Sequence, residues 1–270
     1  MTKPGTGLPQ WAVVDEGWGR KVVDFATLSE PGNCREYVAV HHRLGIGAGD
    51  RLLDVACGSG LAIELARLRG ASCAGIDASA RLVAVARDRN PGSDIRVGDM
   101  HALPWQAASF DVVTSFRGIW GTTPGAVAEI HRVLRPGGRA GLTVWGHLKA
   151  SPGAWALAPF RLAAADKVDN QAVMVSLGRP GAGEQLLESC GFVDVERVDV
   201  PFAWEFADPE TYARALASTG PAAPSMPANS HPEPIIEVSD AQVAPTSPSS
   251  RRRPTSAGLV AAETASVAMP

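Results

Sequence analysis

Beyond residue 50 the apolar positions fall into two alternating patterns. Short, nearly continuous apolar runs, RLLDVA (51–56), CAGIDA (73–78), DIRVGD (94–99), DVVTSF (111–116) and RAGLTVW (139–145), predict strands buried on both faces. Between them, LAIELARLRG (61–70), SARLVAVARDR (79–89) and GAVAEIHRVLR (125–135) carry apolar residues at helical spacing beside a polar face. Repeated strand–helix–strand units with right-handed crossovers predict an α/β fold, a doubly wound and mostly parallel sheet. Ligands of such sheets bind at the carboxyl ends of the strands, where the strand order reverses. Further on, GEQLLESCGF predicts a helix, VDVERVDVPFAWEF a sixth strand and PETYARALAST a short final helix.

The pattern breaks down in three places. WAVVDEGWGRKVVDF, within an N-terminal segment of residues 1–34, precedes the first strand. Residues 147–182, rich in Ala, Pro and Trp, interrupt the alternation after the fifth strand, within a main domain of residues 35–220. Residues 221–270 are rich in Pro, Ser and Ala and contain no Phe, Trp or Tyr. Such a stretch buries too little apolar surface to offset its ordering entropy and reads as a disordered tail. Its composition is also what a GC-rich coding sequence yields when translated out of frame. PIIEVSD (234–240) is the one strand-like segment in it, short and flanked by proline.

Composition narrows the classes without choosing one. A net charge of −3 over 270 residues gives no basic footprint for nucleic acid or anionic membrane. RRR at 251–253 reads as a solvated charge run. No long apolar run and no signal-peptide core are evident, so a cytoplasmic protein without membrane insertion is expected. Cys34, Cys57, Cys73 and Cys190 lack metal-like spacing and read as reduced structural thiols, with no metal site.

The chemistry begins with LLDVACGSG (52–60). It brings a carboxylate, Asp54, to the tip of a buried strand and follows it with two glycines, Gly58 and Gly60, at the start of a helix. Such a turn lets backbone N–H groups approach a small, partly anionic ligand. Asp77 ends the second strand 17 residues after Gly60, where a carboxylate can accept both hydroxyls of a ribose. Asp99 ends the third, and Met100 follows it, an acid and an apolar neighbour suited to the edge and face of an adenine. Two cofactors match this outline, a nicotinamide dinucleotide and S-adenosylmethionine. The dinucleotide fingerprint needs a small residue where Ile63 stands, and this disfavours an NAD-dependent oxidoreductase.

Taken together, LLDVACGSG, GIDAS, VGDMHALPW, FDVVTS and EIHRVLRPGG resemble the successive motifs of class I S-adenosylmethionine-dependent methyltransferases, particularly the ubiquinone/menaquinone C-methyltransferase branch, over about residues 35–205. The resemblance implies methyl transfer from S-adenosylmethionine to a small-molecule acceptor. It implies that the loop Asp54, Ala56, Cys57, Gly58 and Gly60 cradles the methionine part, that Asp77 with Ala78 holds the ribose, and that Asp99 and Met100 flank the adenine. Phe116 then faces the reacting methyl group, residues 1–34 form a lid and 147–182 cover the acceptor. A seventh, antiparallel strand between the fifth and sixth is also implied. PIIEVSD is a poor candidate for it, which leaves the sixth strand without a good partner and keeps open a non-catalytic or incomplete binding protein.

The sulfonium already activates the methyl group, so no fixed catalytic signature is required. His101 and His147 read as loop residues and His131 as a solvated helix residue, and none is assigned as a base. Around the acceptor, Trp18, Arg117, Trp120 and Trp145 are the candidate pocket residues, with Trp11 near Trp18. The Asn/Asp-Pro-Pro-aromatic motif of amino-directed methyltransferases of DNA and protein glutamine is absent from SFRGIWGTTP (115–124).

Overall fold

In a computed structural model that describes residues 10–119, 124–146, 176–220 and 255–264, the apolar runs form one sheet. Its strands are β1 (Arg51–Val55), β2 (Ser72–Asp77), β3 (Asp94–Val97), β4 (Phe110–Phe116), β5 (Leu134–Trp145), β6 (Phe192–Phe202) and β7 (Thr255–Thr264). Their order is β3-β2-β1-β4-β5-β7-β6, so the winding reverses between β1 and β4. β1 to β5 are parallel, and β7 runs antiparallel to both β5 and β6. The helices are α1 (Cys34–Arg43), α2 (Leu61–Leu68), α3 (Ala80–Arg89), α4 (Pro124–Val133), α5 (Ala182–Ser189) and α6 (Pro209–Ala217). Before α1, residues 10–33 run as a chain of short helical turns.

Both faces of the sheet are covered, as continuous apolar strands require. Leu53, Val55 and Val113 pack with Val127 and Ile130 of α4 and Leu187 of α5. Their neighbours Leu52 and Val112 turn to the other face, against Val40 of α1, Ile63 and Ala66 of α2, and Val83 and Ala86 of α3. One alternation along each strand thus divides the core into two layers, the two-sided winding expected from the sequence.

The last strand differs from expectation. PIIEVSD lies outside the described residues, and the seventh strand is Thr255–Thr264, TSAGLVAAET. It pairs with β5 from Arg139↔Glu263 to Trp145↔Ala257 and with β6 from Phe192↔Thr264 to Phe202↔Thr255. The sixth strand therefore has an antiparallel partner. An inserted strand satisfies its N–H and C=O groups on both sides through the ladder, so aromatic or alternating residues are not required of it.

Candidate functional site

The reversal point between β1 and β4 builds the site. Asp54 is opposite Thr114 in the parallel register, and the Thr114 hydroxyl donates to Asp54 Oδ1 at 2.7 Å. Asp54 is buried, and burial, with further repulsion from Glu30 and Asp77, pushes its carboxyl up to about 8. At the tip of β2, Asp77 accepts from the Gly58 amide at 2.9 Å and the Ser79 amide at 2.8 Å. Burial raises its carboxyl above the usual range, against the lowering effect of those two amides. One carboxylate therefore ties the end of β2 to the turn after β1.

That turn bends through left-handed backbone at Ala56 (φ 59°), Gly58 (φ 55°) and Gly60 (φ 80°). The two glycines have different jobs. A side chain at Gly60 would lie 2.7 Å from Asn90 Nδ2 and 2.9 Å from Ala86 Cβ, so its bareness admits the end of α3. At Gly58 the nearest atoms are Phe25 at 3.4 Å and Glu30 at 3.5 Å, both from the segment before α1. Gly118 is a site residue that pattern reasoning missed. A Cβ there would stand 2.3 Å from Ala56 Cβ, so the segment after β4 touches the turn only because it has none. Ile63, the residue that departs from the dinucleotide fingerprint, is fully buried, and a Cβ on Gly75 of β2 would meet its Cδ1 at 2.5 Å. Cys57 is buried beside them, with its thiol pushed well above the normal range.

Asp99 follows β3 and accepts on Oδ1 from the His101 amide at 2.9 Å and from His101 Nδ1 at 2.7 Å. Met100 is half-buried against the core, and Ala78 is half-buried beside Asp77. His131 is not simply solvated, since its ring packs edge-on against Phe192 at 5.1 Å. His147 lies outside the described residues.

On the other side of β4, Phe116 packs edge-on against Tyr37 at 4.5 Å, under α1. Arg117 takes a left-handed backbone (φ 56°), fixed by its amide donating to Thr143 O at 3.0 Å and Thr143 Oγ1 at 3.1 Å. Its guanidinium pairs with buried Glu36 at 2.5 Å and lies over the Trp145 ring at 4.7 Å. Trp145 meets Trp204 edge-on at 5.7 Å. Of the four pocket candidates, Arg117 and Trp145 therefore come together. Trp18 instead packs against Phe25 at 5.8 Å and against the Gly220 backbone, and Trp120 lies outside the described residues. Nearby, a cleft of about 400 Å3 opens between residues 27–35 and 203–211, lined by Leu28, Pro31 and Phe206 among others.

Comparison with known proteins fits this geometry. The family model described as a methyltransferase domain matches residues 53–142. Nocamycin O-methyltransferase of Saccharothrix syringae is 34% identical over 174 residues, 56% of this chain and 61% of that protein. Demethylmenaquinone methyltransferase of Chlorobaculum parvum is 37% identical over 93 residues, 33% of this chain and 39% of that protein. The chain thus spans less than two thirds of these relatives. Among solved structures, phosphoethanolamine N-methyltransferase 2 of Haemonchus contortus in complex with S-adenosyl-L-methionine shares the fold, with TM-score 0.59 and 18% identity over 96% of this chain and 61% of that one. The [4+2]-cyclase SpnF shares it with TM-score 0.53 and 20% identity over 86% and 80%. Residues 53–142 thus carry a methyltransferase domain, and the sheet built around them has the fold of class I methyltransferases.

Proposed function

We propose that the chain transfers a methyl group from S-adenosylmethionine to a small organic acceptor. The observation that carries this reading is the cluster of buried carboxyl groups at one loop. Asp54, Asp77 and Glu30 are all buried around residues 56–60, and Glu30 and Asp77 each push the Asp54 carboxyl upward. A pyrophosphate would bring further anions against these carboxyl groups, whereas an ammonium and a sulfonium favour their ionised form and pair with it. The donor set fits the cofactor's parts. Asp54 is set for the ammonium, Asp77 for the ribose diol through lone pairs its two amides leave open, and Asp99 with Met100 for the adenine. When bound, S-adenosylmethionine supplies a methyl group already activated by a sulfonium. The protein's share is orientation and exclusion of water. Phe116 and Tyr37 wall the region past β4, and Arg117 stacked on Trp145 offers a flat, cationic face to the acceptor.

The relatives are named for nocamycin and demethylmenaquinone, and we extend to this chain the small-molecule class and not the compound. The ground for reading the chain as an incomplete fold falls away, because β7 fills its slot. The test is calorimetry with S-adenosylmethionine on the wild type and Asp77→Ala. Loss of two charge-assisted hydrogen bonds is expected to cost about 2–4 kcal/mol of binding. Equal affinity in a folded variant overturns the assignment of Asp77.

A further inference from the structure

Two acids of the N-terminal segment, Glu30 and Asp15, reach into the site from outside the sheet. Glu30 is 2% exposed, and its carboxylate accepts from the Ser59 hydroxyl, from the Leu61 amide at 3.4 Å and from Arg89 at 2.6 Å. Arg89 also donates to the Ser59 carbonyl at 3.0 Å. The helix that starts at Leu61, α2, has Gly60 at its N-cap and no capping side chain of its own, so Glu30 supplies the anion for its positive end. Asp15 makes the equivalent contact one helix further on. It accepts from the Ser79 hydroxyl at the N-cap of α3, from the Arg81 amide at 3.2 Å and from the Arg81 side chain at 2.8 Å. Gly19 packs against this second contact, where a Cβ would stand 2.7 Å from Ser79 Oγ.

The two helices clasped in this way are the ones that follow β1 and β2, the strands carrying Asp54 and Asp77. Ser59 lies inside the glycine turn, and Ser79 is the residue whose amide holds Asp77. One clasp therefore fixes a residue of the turn that follows Asp54, and the other the residue whose amide holds Asp77. Between the clasps, Phe25 covers Gly58.

We propose that the N-terminal segment is a two-point clasp, Glu30 on the start of α2 and Asp15 on the start of α3, whose docking and S-adenosylmethionine binding strengthen each other. Glu30 and Asp15 are positioning residues in this scheme. Docking preorganises the turn and the Asp77 carboxylate, so the cofactor binds a site already formed, and by linkage the bound cofactor holds the segment down. The coupling rests on the cofactor reading above, whereas the clasp itself does not.

Trypsin reads the clasp directly, because Arg20 and Lys21 lie between its two points. In ligand-free protein, Glu30→Gln is expected to speed cleavage after these residues at least tenfold, and Asp15→Asn about threefold. Unchanged cleavage in both overturns the clasp. In calorimetry, Glu30→Gln is expected to weaken S-adenosylmethionine at least tenfold. Saturating cofactor should slow cleavage of the wild type at least fivefold and of the Asp15→Asn, Glu30→Gln double variant less than twofold. A general loss of packing would not remove this ligand-dependent protection while binding persists. Wild-type affinity in both variants, or faster cleavage with cofactor bound, overturns the coupling. If Glu30→Gln does not fold, Asp15→Asn, at the more exposed point, carries both measurements with the same criteria. A wild type that binds no S-adenosylmethionine overturns the cofactor reading and the coupling together, and the ligand-free cleavage still decides the clasp.

Discussion

The two halves of the sheet are put together differently. In β3-β2-β1, each strand is separated from its neighbour by a single helix, and each carries an acid at or just beyond its tip. In β5-β7-β6, the middle strand comes from the far end of the chain and meets both neighbours only through long-range antiparallel ladders. The first half encodes its chemistry in short contiguous motifs, and the second encodes only its shape. The proposed cofactor site is thus built from local stretches of sequence, whereas the integrity of the proposed acceptor side depends on contacts between distant segments.

Ending the chain after Gly220 breaks this comparison most severely. It removes β7 and exposes unpaired edges on β5 and β6, and such edges template association between chains. The expected outcome is loss of cooperative unfolding and conversion of monodisperse protein to aggregate, read by calorimetric melting and light scattering. A truncated chain that melts like the full one would mean that the second half does not need its middle strand.

The half proposed to hold the cofactor should show its buried carboxyl groups as pH dependence. The Asp54 carboxyl stands at about 8 in the fold against an ordinary value of 3.8. Below about pH 4 the group is protonated in both folded and unfolded chains, so its burial carries no ionisation cost there. Between about pH 4 and pH 8 the unfolded chain releases the proton and the fold does not, and stability falls as pH rises through that window. Asp77 and Glu30, raised by burial, add to the same trend. The melting temperature should therefore fall by several degrees from pH 5 to pH 8.5, and Asp54→Asn should flatten the slope. An unchanged slope in that variant would assign the trend to other groups.

Arg117→Lys gives the smallest effect and sharpens the contrast. Lysine keeps the charge beside Glu36 but loses the planar stack on Trp145, a change of about 1 kcal/mol in stability. S-adenosylmethionine affinity should stay within about twofold by calorimetry, because the residue serves the other half of the site.

How much of this was legible in the sequence follows the same division. The places of Asp54, Asp77 and Asp99 at or near strand ends could be read because each closes an apolar run, and the doubly wound core because its periodicities are local. Thr255–Thr264 could not, since its small residues carry no amphipathic signal and its place is fixed by the open ladders of β5 and β6. Asp15 and Glu30 were missed for a related reason. Each caps a helix from a distant point in the chain, and no spacing rule connects an N-terminal acid to Ser59 or Ser79. The pairing of Arg117 with Glu36 was hidden in the same way, although an acid within the apolar stretch CREYVAV was a visible sign of a buried partner.

The inserted strand also sets a timetable for synthesis. β5 and β6 leave the ribosome before β7 exists, and they flank a slot that β7 alone fills in the finished sheet. Two strands on either side of an inserted third stand roughly 9.5 Å apart, too far to pair with each other in the native arrangement. While translation continues, the nascent chain therefore carries two adhesive borders that it cannot yet seal, next to a cofactor half whose strands have all been made. Slow elongation through residues 221–254 lengthens that interval, and a holdase that shields β5 and β6 until β7 emerges would raise the yield of folded protein.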